Sequence, residues 1–272
     1  MKLIFLGSGS AFTVGGNNYQ SNMLLEDDQD NRLLIDCGTD IRFSLHEHQL
    51  SYLDLTDIFI SHLHSDHAGG LEYVGFNTLF DPRCKRPNLF IAEEIGADLW
   101  ERSLSAGMRS VEGRITTLET FFRVNLIGQR RSFEWNGVTF RLVRAVHVNN
   151  SYGVMPSYGL YFELDGMRVY ITTDIQYQPD ELQAQYDGAT VIFHDCETSR
   201  FPSPVHSHYN QLRKLTPEIR QKMWLYGYQT GDLPTAIADG FHGFVHKGQE
   251  FEFANGEMTT VTTEQPALIS QS

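Results

Sequence analysis

Ser61-His62-Leu63-His64-Ser65-Asp66-His67-Ala68-Gly69-Gly70 places three imidazoles and one carboxylate within six positions, directly after the apolar run 57–61. Imidazole nitrogens with a carboxylate oxygen are the donors that borderline divalent ions such as Zn²⁺ or Mn²⁺ take. The preceding run reads as a short strand and the glycines as a tight exit, so the four side chains are expected on a rigid strand-to-helix turn. Solvated histidines on a loop would need no such lead-in.

Working outward, 2–6, 21–26 and 32–35 are β-favourable runs separated by Gly, Asn and Asp, which predicts an N-terminal sheet, and 39–49 has helical character. Beyond the ligand loop, the stripe Leu71, Val74, Leu79 predicts a helix, followed by a strand at 88–92 and a helix at 93–104. The segment to about 129 has no assignable pattern. Asn136-Gly137 and Asp165-Gly166 read as hairpin turns, because both dipeptides reach positive φ at little cost, and they place a second sheet. Helix 179–186, strand 190–194, helix 210–222 and strands near 224 and over 248–253 complete the pattern. Two antiparallel-rich sheets with helices outside make an α/β fold of four layers, an αββα sandwich. We expect a single domain over 1–253 and a surface or flexible tail over 254–272, which is rich in Thr, Gln and Ser.

Composition narrows the function classes. With 272 residues, 41% of them hydrophobic, a sizeable core is available, and no apolar run approaches the ~18 residues of a membrane span. The apolar start at 1–6 is too short for a signal-peptide core, so a cytoplasmic location is expected. Twenty-one basic against thirty-four acidic residues leave a net charge of −13, which repels polyanions; a long nucleic acid is disfavoured and small anions remain open. Arg123, Arg130 and Arg131 read as a solvated face. Cys37, Cys84 and Cys196 are widely spaced and form no C-x-x-C pair, so neither a disulfide framework nor a Cys-rich zinc site is expected.

The H-x-H-x-D-H pattern at His62, His64, Asp66 and His67 resembles the signature of the metallo-β-lactamase fold. His147 after Ala145-Val146 and Asp174 after Thr172-Thr173 resemble its third and fourth motifs in the expected order. Taken alone, His147 suits a core histidine as well as a ligand, and Asp174 suits a turn cap. The resemblance implies two divalent ions, Zn²⁺ foremost with Mn²⁺ as the alternative. It places His62, His64 and His147 on one ion, Asp66 and His67 on the second and Asp174 between them, with Asp66 also among the catalytic groups. The family's last ligand is a His at the end of a late strand, and Trp224-Leu225-Tyr226-Gly227-Tyr228 has Gly there. Gly offers no donor, so the second ion is expected to be held more weakly. His242 and His246 lie nearby but sit among Phe241, Phe244 and Val245, where an ordinary strand role is simpler.

Phe193-His194-Asp195-Cys196-Glu197-Thr198 and Val205-His206-Ser207-His208-Tyr209 resemble the Glu and His of the ribonuclease Z-like branch, which makes Glu197 and His206 the expected proton-donating pair. A polar loop beside a helix start is the plain reading of His206 and His208. The whole of 2–253 is similar to the anti-Pycsar cyclic-nucleotide phosphodiesterases of phages and bacteria, through Gly7-Ser8-Gly9-Ser10-Ala11-Phe12-Thr13-Val14, Asn18-Tyr19-Gln20-Ser21-Asn22 and Met155-Pro156-Ser157-Tyr158-Gly159-Leu160. That resemblance implies a homodimer that hydrolyses 3′,5′-cyclic nucleotides, cCMP and cUMP with cAMP and cGMP, to 5′-monophosphates, in a bacterial cell or phage-infected host. Tyr152 and Tyr158 read as packing residues, or more sharply as base-stacking platforms. The alternatives are a tRNA 3′-processing nuclease, for which the chain shows no basic arm, and a cyclic-nucleotide-sequestering protein, which Gly227 motivates.

Overall fold

The β-favourable runs pair into two sheets in the computed structural model, which describes residues 1–262. The first collects β1 (Lys2–Phe5), β2 (Met23–Glu26), β3 (Arg32–Ile35), β4 (Asp57–Ile60), β5 (Asn88–Ala92) and β6 (Arg123–Ile127). The second collects β7 (Ser132–Trp135), β8 (Val138–Asn150), β9 (Gly153–Leu164), β10 (Met167–Ile171), β11 (Val191–Asp195), β12 (Met223–Tyr226) and β13 (Gly243–Phe244). β14 (Gln249–Ala254) and β15 (Glu257–Thr262) return to the first. The strand orders are β15-β14-β1-β2-β3-β4-β5-β6 and β13-β12-β11-β10-β9-β8-β7.

Alternation sorts the side chains into layers. On β10 and β11, Val169, Ile171, Val191 and Phe193 enter the core between the sheets, while Tyr170 and Ile192 face Leu182 and Tyr186 of the helix Pro179–Gly188. Burial on both faces is what parallel strands under helices require. Between the sheets the rings of Phe5, Phe193 and Phe251 pack tilted or edge to face at centroid separations of 4.8–5.9 Å. Outside the first sheet lie the helices Ile41–Glu47, Leu71–Phe80 and Glu93–Asp98, which complete the αββα order.

The hairpin turns form at Asn136-Gly137 and Asp165-Gly166, with positive φ at all four residues. Three expectations change. The helix read over 210–222 is two single turns, Tyr209–Leu212 and Pro217–Arg220, because Pro217 has no N–H to continue the first and suits the start of the second. The unassigned segment ends in β6. The tail does not begin at 254: Asn255-Gly256, at φ 55° and 77°, turns the chain back and the β-branched run pairs with β14. Residues 263–272 lie outside the described residues. Among the described residues no helix is long and apolar enough to cross a membrane.

Topology decides where chemistry collects. β3 to β6 run parallel in one sheet and β10 to β13 in the other. Ligand sites in α/β sheets lie outside the carboxyl ends of such strands. Asp36, His62, Asp174, Asp195 and Gly227 all follow or end one of these strands.

Candidate metal centre

β4 ends at Ile60 and the chain turns through Ser61–His64 into the single helical turn Ser65–Ala68, so the ligand loop is short and stiff. An acid absent from the sequence reading locks it. Asp36, buried and held at φ 64°, accepts from the Ser61 N–H and hydroxyl, both at 2.8 Å, and from His67 Nδ1 at 2.7 Å. The available signal was an acid at the end of an apolar strand, before Cys37-Gly38. His147 arrives on β8, which pairs with β9 through an irregularity between Val146 and Val148; a bulge of that kind re-aims a side chain. Its Nδ1 donates to the Val205 carbonyl at 2.9 Å. The Ser61 hydroxyl, having donated to Asp36, accepts from His62 Nδ1 at 3.0 Å. Both rings therefore turn an Nε2 lone pair inward.

Those lone pairs converge. His64 Nδ1 lies 3.1 Å from His62 Nε2 and 3.0 Å from His147 Nε2. Tetrahedral zinc with bonds of ~2.0 Å sets neighbouring donors about 3.3 Å apart, so the spacing fits one ion. Burial lowers the pKa of all three, His62 well below the ordinary value and His147 to about 4, which keeps them neutral and ready to ligate. A second group abuts the first: His67 Nε2 is 3.0 Å from Asp66 Oδ2 and 3.2 Å from Asp174 Oδ2. Asp174 Oδ2 is also 3.9 Å from both His62 Nε2 and His147 Nε2, which puts it between the groups. Burial alone would discharge His67, yet Asp174, Asp66 and Asp36 raise its pKa well above the ordinary value. For Asp174 burial opposes ionisation, and His67 and His206 overcome it and hold the carboxyl well below its usual range. Three overlapping groups, His62–His64–His147, His62–His67–Asp174 and His147–Asp174–His206, are donor sets a divalent cation satisfies, and the buried Asp66 carboxylate adjoins them at His67.

His206 joins this cluster with His147 and Asp174, and its hydrogen-bond partner is Asp195 and not the expected Glu197. Its Nδ1 donates to Asp195 Oδ2 at 2.9 Å and lies 3.8 Å from Asp174 Oδ2. Glu197 is not hydrogen-bonded to His206 but lines the same cavity as that imidazole: its carboxylate accepts from the Ser203 N–H and hydroxyl and from the Ser199 hydroxyl, tying down residues 199–203. The pairing with Asp195 has a simple cause. β11 ends at Asp195, whose carboxylate stays at the strand end, whereas Glu197 has passed into a bridge with His208. Burial pushes Asp195 up to about 6; it also opposes charge on His206, but Asp195 and Asp174 prevail and raise that imidazole to about 10. His206 is thus a held proton donor at neutral pH.

Gly227 follows β12 at φ 78°, and a Cβ there would stand 2.7 Å from Asp195 Oδ1. That oxygen is buried and has no hydrogen-bond partner. His242 stacks on Trp224 at 5.3 Å, and neither it nor His246 joins a metal-type group among the described residues. Tyr158 is buried and donates to Glu94, a packing role; Tyr152 stands exposed at the tip between β8 and β9. Arg123, Arg130 and Arg131 are exposed.

The family model described as Anti-Pycsar protein Apyc1 matches residues 1–251. A protein of that name from Paenibacillus harenae is 33% identical over 230 residues, covering 84% of this chain and 90% of its own length. Another from Bacillus phage vB_BveM-Goe7 is 29% identical over 227 residues, covering 81% and 85%. Among solved structures, the metallo-β-lactamase fold protein YhfI from Bacillus subtilis superposes with a TM-score of 0.66 over 92% of this chain and 97% of its own, at 16% identity. The two-sheet architecture with its ligand loop is therefore the metallo-β-lactamase fold, and the chain belongs to the Anti-Pycsar Apyc1 family.

Proposed function

We propose that this metal-dependent hydrolase is a phosphodiesterase that opens 3′,5′-cyclic nucleotides, cCMP, cUMP, cAMP and cGMP, to 5′-monophosphates, as a homodimer that counteracts Pycsar signalling. The observation that carries the reading is His206: an imidazole whose Nδ1 donates to Asp195 at 2.9 Å and which groups with His147 and Asp174 beside the other metal-type donors. Zn²⁺ suits the three-nitrogen group, and Mn²⁺ the carboxylate group. Divalent ions held there supply neutralisation of phosphate charge and acidify water. The chain's own groups do the rest. Asp66, beside His67, takes the proton from the attacking water; the water oxygen bonds to phosphorus; the P–O3′ bond breaks; His206 delivers its proton to the departing O3′. Glu197 acts by positioning residues 199–203.

The test is a panel. Purified protein supplied with Zn²⁺ or Mn²⁺ is expected to yield 5′-monophosphates from the four cyclic nucleotides and to leave precursor tRNA uncut, since a net charge of −13 opposes a folded polyanion. Cleavage of tRNA with no cyclic-nucleotide turnover overturns the proposal in favour of a nuclease. Tight binding without turnover favours sequestration, the reading Gly227 supports. Light scattering at twice the chain mass checks the dimer.

A further inference from the structure

The position of His206, between the metal-type groups and an open cavity, constrains where the rest of the substrate lies, and this inference rests on the phosphodiesterase reading above. The phosphate belongs at the metal-type groups and O3′ at His206, so the ribose sits against that imidazole and the base projects beyond it. A cavity of about 350 Å³ has His206 in one wall and Ser10, Phe12, Thr13, Gln229 and Thr230 around the others. That volume is at the lower end of the ~300–1,000 Å³ of small-molecule sites. No Lys or Arg lines it and the Glu197 carboxylate does, so it is not built for a phosphate.

Its walls are set in advance. The Ser10 N–H donates to the Tyr228 carbonyl at 3.0 Å, and Ser8 Oγ bonds the Tyr228 hydroxyl at 3.0 Å, which fixes the loop carrying Phe12 against the end of β12. Gln229 Oε1 accepts from the Thr198 N–H at 2.6 Å and from its hydroxyl at 3.2 Å. With the oxygen spent, the amide presents only its NH₂ to a ligand. Thr13 Oγ1 is buried with no hydrogen-bond partner. Phe12 is 92% exposed, an aromatic face left in water at the rim. Such a face suits a flat heterocycle.

We propose that this cavity is the nucleobase subsite, with Phe12 stacking on the base and the Gln229 amide donating to a ring carbonyl oxygen on its edge. Cytosine, uracil and guanine carry such a carbonyl; adenine carries none. Base recognition therefore falls to Phe12 and Gln229, not to Tyr152 or Tyr158.

The test uses metal-loaded protein and steady-state kinetics on cCMP, cUMP, cGMP and cAMP, with bis(4-nitrophenyl) phosphate as a diester without a nucleobase. Phe12→Ala, at an exposed position where folding is not at stake, is expected to raise KM for the cyclic nucleotides ~5- to 150-fold with little change in kcat, well beyond its effect on the nitrophenyl diester. Gln229→Ala should raise KM ~2- to 10-fold for cCMP and cUMP and much less for cAMP. Tyr152→Ala, at the hairpin tip, serves as the control and should change nothing. Unchanged KM in both variants while the parent protein turns over cyclic nucleotides overturns this inference and leaves the phosphodiesterase reading standing. A parent protein that hydrolyses the nitrophenyl diester but no cyclic nucleotide overturns that reading instead. Calorimetric binding of cUMP then decides the cavity: weakening by Phe12→Ala supports it, and undiminished or absent binding removes it.

Discussion

The nitrogen side and the oxygen side of the metal-holding cluster grow from one loop, yet they are fixed and charged differently. On the nitrogen side His62 and His147 have their outer ring nitrogens tied to Ser61 and the Val205 carbonyl, and burial favours the neutral form of all three imidazoles. On the oxygen side two carboxylates and His67 depend on one another's charge, and Gly227 brings no donor. Neutral, pre-aimed imidazoles bind a borderline ion tightly; an oxygen-rich set short of one nitrogen holds a harder, more exchangeable ion. A shared scaffold thus does not imply equal occupancy.

The largest effect sharpens the contrast by leaving the nitrogen side whole. His206→Ala removes one member of the His147–Asp174–His206 group but none of His62, His64 and His147, so the ion held by the three imidazoles should be retained while cyclic-nucleotide hydrolysis falls ~10²- to 10⁴-fold. A nitrophenyl diester, whose leaving group needs little protonation, should lose much less; equal losses would make His206 a metal-holding residue. Asp36→Asn comes next. Asp36 bonds His67 directly and His62 only through Ser61, so metal affinity should fall ~10- to 100-fold on the oxygen side and less on the nitrogen side, read by chelator competition.

Occupancy itself gives a smaller and direct test: after mild chelation, elemental analysis should find about one ion per chain, held by the imidazoles. Equal retention of two ions would break the comparison. Gly227→His asks whether the deficit can be repaired. A side chain at φ 78°, with Asp195 Oδ1 2.7 Å from its Cβ, should lower stability by about 1–2 kcal/mol even as second-ion content rises. A rise in metal with no change in turnover would show that the missing donor does not limit the rate.

The smallest effect concerns the hairpin that carries His147. Glu94 bonds Arg144 on β8 and Tyr158 on β9, and the Arg144 guanidinium lowers its carboxyl to about 2 from an ordinary 4.5. A depressed folded-state pKa stabilises fully above the unfolded value and is lost as pH falls through the folded one. Acid unfolding should therefore carry a Glu94 contribution between pH 4.5 and about 2 that disappears in Glu94→Gln. The side chain is 46% exposed, so the contribution is slight.

What the chain reveals by itself is what local spacing encodes. The ligand loop and the Asn-Gly and Asp-Gly hairpins were legible, because each depends on residues a few positions apart, whereas His147 and Asp174 stood out only through the family resemblance. Asp36 was not, since its importance lies in reaching Ser61 and His67 across 25 and 31 positions, a closure made only when β3 pairs with β4. The choice between Asp195 and Glu197 was equally hidden, for it turns on the residue at which β11 stops. The cavity beyond His206 takes walls from residues 10–13 and 229–230, far apart in the chain and brought together by the Ser10–Tyr228 and Ser8–Gly227 bonds. Short-range chemistry is written in sequence order; contacts between distant strand ends are decided by packing, which fixes register and termination only once both sheets have formed.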